Sequence, residues 1–195
     1  MKKIVYAILL FFSLAAHSYD LQHLGTIDAK EYNDVWKQWF DKDIEMYAGS
    51  DGESSNIRFV FEMNLGEYAL TYAFWGMNPE ESREFMDFYN HLVKAQEWSK
   101  IARENRADTE RDIGDCSTSK TKCKISFRST NSGKATSAMI EIKEKAEFDF
   151  TFNEGTFMVQ GSQLDKMVEQ LNPVALVFNL WASSESNNQA DDLFN

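Results

Sequence analysis

Between residues 124 and 160 the chain alternates apolar and polar side chains with a period of two. The apolar positions are Ile125 and Phe127 in 124–128, Ala138, Ile140 and Ile142 in 136–143, Phe148, Phe150 and Phe152 in 146–152, and Phe157 and Val159 in 156–160. Successive side chains of a strand point to opposite faces, so each run has one face to bury and one to wet. Asn131-Ser132-Gly133, Glu144-Lys145 and Asn153-Glu154-Gly155 separate the runs and have the length and composition of hairpin connections. The pattern predicts a four-stranded antiparallel meander.

Upstream, residues 57–63 and 67–75 are rich in aromatic and β-branched side chains and flank Asn64-Leu65-Gly66, which predicts a β-hairpin. Asn78, Pro79 and Glu81 form a helix start, and the helix runs to about residue 103. Phe85, Phe88, Tyr89, Leu92, Val93 and Ala95 share its core face. Two shorter helices complete an α+β fold. One starts near Ala29, is capped by Asp28 and carries Tyr32, Val35, Trp36, Trp39 and Phe40 at spacings of three and four; the other is capped by Ser162 and carries Leu164, Met167, Val168 and Leu171. Asn172-Pro173 interrupts the second, and 174–181 is apolar throughout and fits either helix or strand. Residues 49–55 and the charge-dense stretch 103–115 read as loops, the latter entered from a solvated helix end. No internal repeat stands out.

Lys2 and Lys3, an apolar run over 4–16, and small residues at Ala16 and Ser18 make residues 1–18 a secretory signal with cleavage before Tyr19. The run is shorter than the ~20 residues of a spanning helix, so no membrane insertion is expected after cleavage. Residues 19–181 are expected to form one domain and 182–195 a mobile tail. The location is periplasmic or secreted. Without Lys2 and Lys3, 18 basic residues stand against 31 acidic, a formal charge of −13. That field repels nucleic acid and favours a cationic partner. Cys116 and Cys123 are the only cysteines, and in an oxidising compartment so close a pair predicts a disulfide.

Chemistry-bearing motifs are sparse. The exported part holds only His23 and His91, outside any metal-ligand spacing, and the chain has no nucleophile elbow, phosphate loop or dinucleotide fingerprint. No cofactor is expected. The expectation is therefore a non-enzymatic protein-binding module of the cell envelope, of the inhibitor, immunity or assembly-factor type. A hydrolase using a carboxylate pair and a carrier of a small apolar ligand are the alternatives. On the long helix Trp98 and Ile101 fall away from the core stripe, and with Arg103 and Arg106 they make a candidate partner-facing surface. A bend near Gln96 that returns both to the core is the competing geometry.

Overall fold

The computed structural model describes residues 21–50, 58–66, 68–75, 83–118, 121–145 and 152–180. The strands are β1 (Gln22–Asn33), β2 (Gln38–Ser50), β3 (Arg58–Leu65), β4 (Tyr68–Trp75), β5 (Thr109–Asp115), β6 (Thr121–Thr130), β7 (Ala135–Lys145) and β8 (Phe152–Gln160). The helices are α1 (Arg83–Asn105), α2 (Gly161–Gln170) and α3, residues 173–180. All eight strands form one antiparallel sheet in the order β4-β3-β2-β1-β8-β7-β6-β5. Among the described residues the chain thus makes a four-stranded meander followed by a helix twice over.

In β6, in β7 and in the second half of β8 the core positions are where the period-two pattern puts them. Ile125, Phe127, Ala138, Ile140, Ile142, Phe157 and Val159 are all buried, and α1 lays Phe85, Phe88, Leu92, Ala95, Ser99 and Ala102 against them. Cys116 and Cys123 are joined, with Cα atoms 4.7 Å apart. The hairpin β3–β4 turns at Gly66, with Leu65 paired to Tyr68. β4 is tied to the other meander by two phenols: Tyr68 donates to the Glu154 carbonyl and Tyr72 to that of Cys116, each at 2.7 Å. Burial holds the Tyr72 phenol far above its ordinary range, so it keeps that proton.

Four expectations need correction. Residues 29–47 are not a helix but most of the β1–β2 hairpin. The three-and-four spacing of the rings arises because a turn at 34–37 lies between two strands, while the true core positions, Ile27 and Ala29 on β1 and Ile44, Met46 and Ala48 on β2, keep a period of two. Residues 109–115 are an edge strand and not a loop. Their charges meet partners on β6, Asp112 with Lys124 at 2.7 Å and Glu110 with Arg128 at 3.7 Å, in the manner of a charged sheet edge. Glu144-Lys145 lies inside β7 and Asn153-Glu154-Gly155 inside β8, paired across the two strands, so neither is a turn. Ser162 falls within the first turn of α2, whose N-cap is Gln160 without a side-chain cap bond.

Asn172-Pro173 starts α3. The Asn172 Oδ1 accepts from the Val174 and Ala175 N–H groups at 3.1 and 3.2 Å, with Pro173 at the first helical position. The expected signal segment 1–18, the expected helix start at Asn78-Pro79, Phe148, Phe150 and the expected tail 182–195 lie outside the described residues, as does most of the loop expected at 49–55, whose first two residues belong to β2.

β1 pairs with β8 only through Ala29–Glu31, which leaves residues 22–28 without a strand on that side among the described residues. α2 takes the strand's place. Gln163 Oε1 accepts from the Asp28 N–H at 3.2 Å, Lys166 Nζ donates to the Thr26 carbonyl at 2.7 Å and Gln170 Nε2 to the Leu24 carbonyl at 3.2 Å. Residues at i, i+3 and i+7 of one helix thereby satisfy a strand edge that would otherwise invite pairing with another chain.

Candidate protein-docking surface

The β1–β2 hairpin is longer than its neighbours. β8 pairs with β1 no further than Glu31, and β3 pairs with β2 only from Glu45, so between those residues the two arms have only each other as strand partners among the described residues. Its tip is built by one side chain. The Asn33 Oδ1 accepts from both the Val35 and the Trp36 N–H at 3.0 Å, Lys37 takes a left-handed conformation with φ of 54°, and Lys37 pairs with Asp34 at 3.3 Å. These bonds within the turn hold its shape.

Beside that exposed ion pair the tip presents apolar side chains. Val35 is 84% exposed, Trp36 69% and Phe40 47%, while Tyr32 and Trp39 pack on each other across the strands with ring centroids 5.1 Å apart. Scattered exposed apolar side chains are ordinary, but two adjacent ones, Val35 and Trp36, on a hydrogen-bonded turn have the character of an interaction surface. Below the tip the outer face of β1–β2–β3 is acidic. Asp28 stands opposite Asp43, Lys30 opposite Asp41 with an ion pair of 2.8 Å, Glu45 opposite Thr26 and Asn64, and Glu62 opposite Tyr47. Glu45 accepts a hydrogen bond from the Tyr47 hydroxyl, and that bond, with partial desolvation and the nearby Glu45 and Glu62 charges, raises the Tyr47 pKa.

The residues singled out from the sequence sit elsewhere, on the flank of α1. The helix is unbroken from Arg83 to Asn105. Trp98 is half-buried, edge-on to the buried Phe127 ring at 5.8 Å with the Lys94 ammonium 5.0 Å above its centroid. Ile101 is 53% exposed, and Arg103 and Arg106 are exposed. At one hundred degrees per residue Trp98 lies about 80° from Phe88, at the border of the stripe, so a straight helix brings it into contact with the sheet. Trp98, Glu110, Arg111 and Asp112 border a shallow surface depression of about 610 Å³.

A groove of about 1000 Å³ follows the strand ends of β5–β8, between Asp115, Lys122, Lys124, Glu141, Lys143 and Glu154. Its charges are partly matched, Lys143 with Glu154 and Lys124 with Asp112 just outside it. No group of three His, Cys, Asp or Glu side chains is placed to hold a metal ion among the described residues. His91 packs its imidazole against Gly114, where a Cβ would come within 2.2 Å of Nε2, and its Nδ1 is buried with no partner among the described residues. Desolvation lowers its pKa.

Sequence reasoning missed the hairpin tip. The available signal was the alternation Trp39, Asp41, Asp43, Glu45, Tyr47, read as a helix because the rings before it matched a helical spacing. No family model, no curated protein and no solved structure matches this chain.

Proposed function

We propose that this chain is an exported, non-enzymatic protein-binding module of the cell envelope that docks onto another protein through the tip of the β1–β2 hairpin. The exposure of Val35 and Trp36 on a turn held by Asn33 carries the reading. A rigid tryptophan on a projecting turn loses little conformational entropy on binding and buries a large area, the profile of an interface anchor. The signal-like residues 1–18 and the Cys116–Cys123 disulfide support an oxidising, extracytoplasmic location. The space between α1 and the sheet is occupied by Phe61, Tyr72, Phe85, Phe88 and Phe127, whose rings pack on one another and on Trp98, which weighs against a carrier of a small apolar ligand.

A photo-crosslinking residue placed at Lys37 in the exported protein tests this in cells. The expected result is a discrete protein adduct that is lost with Trp36→Ala. An adduct formed from position 101 but not from position 37 would overturn the assignment to the hairpin, and the absence of an adduct from both would overturn the docking function.

A further inference from the structure

Resting on that docking reading, the geometry points to the kind of partner: we propose that the apolar hairpin tip seats an extended, cationic protein segment that runs along the outer face of β2. Ile44, Met46 and Ala48 face the core, so Trp39, Asp41, Asp43, Glu45 and Tyr47 share the opposite face. From the tip inward that face reads aromatic, acid, acid, acid, aromatic. Alternate residues of a strand are roughly 6.8 Å apart, the spacing of alternate side chains in an extended ligand, and the row from Trp39 to Tyr47 is roughly 27 Å long.

Charge complementarity selects the occupant. Asp28 directly opposes Asp43, and Glu62 lies across from Tyr47, so the row is widened by further carboxylates, with Lys30 and, against the Tyr47 ring, His23 the basic residues among these outer positions of β1 and β2. Like charges placed directly across a strand pair are unfavourable in the free protein, and an incoming ammonium or guanidinium relieves that repulsion. The net charge of the exported chain draws the same partner from a distance. Trp39, packed on Tyr32, and Tyr47, packed on His23, place aromatic rings for cation–π contact at either end of the row, and Val35 and Trp36 in the turn supply the apolar anchor that acids alone lack. An anionic bilayer, the other surface a tryptophan-tipped hairpin could enter, is repelled by the same carboxylates.

The probe is a peptide of about twelve residues alternating lysine and threonine, titrated into the mature protein at low salt and read by fluorescence anisotropy. Expected are binding that weakens steeply with salt, at least a tenfold loss with the double substitution Asp43→Asn, Glu45→Gln, a comparable loss with Trp36→Ala, and no change with Glu141→Gln on the outer face of β7. Equal binding of a peptide of the same composition with its lysines in one block would overturn the extended register. Unchanged binding by the Asp43, Glu45 variant would overturn the acidic row. Trp36-dependent binding to phosphatidylglycerol vesicles in place of the peptide would overturn the choice of a protein partner. A protein adduct at position 37 together with no affinity for the peptide would leave the docking function standing and remove the cationic segment alone.

Discussion

Gly155→Ala should destabilise the protein through a single contact between its two meanders. A Cβ at this position would lie 2.7 Å from Tyr68 Cε2, 3.0 Å from Tyr68 Cζ and 2.8 Å from Phe157 Cε2. The Tyr68 ring cannot retreat freely, since its hydroxyl donates to the Glu154 carbonyl at 2.7 Å and its ring packs on Phe157 in a T-shaped pair with centroids 5.7 Å apart. Overpacking at such a site costs about 1–3 kcal/mol, and displacing the Tyr68 hydrogen bond adds about 1 kcal/mol. Replacing glycine in extended backbone returns roughly 0.5–1 kcal/mol, which leaves a net loss of about 1–3 kcal/mol. Urea unfolding of four proteins measures it: the parent, Gly155→Ala, Tyr68→Ala and the double variant. The coupling between the two sites should be at least about 1 kcal/mol, because removing the ring removes most of the clash. Equal costs of Gly155→Ala in both backgrounds, or no cost in either, would refute the close approach and restore Gly155 to a turn.

Cys123→Ser should lower the unfolding midpoint by an amount equivalent to about 2.5 kcal/mol for so short a loop while leaving the fold intact, and alkylation of both thiols in non-reduced native protein would show the bridge absent. Trp98→Ala should cost about 1–3 kcal/mol through its contact with Phe127, and Ile101→Ala less than about 1 kcal/mol, measured by the same unfolding assay. His91 has a folded pKa below its ordinary 6.5, because desolvation outweighs the opposing field of Asp87 and Asp115 while Lys94 adds to the depression. The unfolded chain then binds the proton more readily, so this contribution to stability is complete above the ordinary value and is lost as pH falls from there toward the folded pKa. His91→Gln should flatten the dependence of the unfolding midpoint between about pH 5 and 7, and an unaltered slope would show that other groups set it.

Local alternation and short cysteine spacing were enough to establish the strands at 124–128, 136–143 and 156–160, their buried residues and the disulfide, but not the turns at 144–145 and 153–155. Ile125, Ile140 and Phe157 are buried because period two is a property of the strand itself, and residues 116 and 123 are joined because so few residues separate them. The core stripe of α1 was legible for the same reason, since one helix face needs no knowledge of its partner.

The rest depended on contacts distant in sequence. Gly155 reads as a turn residue until Tyr68 is seen to occupy the space its side chain would take. The charges of β5 read as loop until Arg128 and Lys124 meet them from β6. The rings at 32–40 were the most misleading, because their spacing suited a buried helical face, whereas the core is filled by Ile27, Ala29, Ile44 and Met46 on the same two strands. Which large apolar residues reach the interior is decided by how far the neighbouring strands extend. β8 and β3 stop short of Trp36, and that tertiary fact turns a group of apparent core residues into an exposed surface.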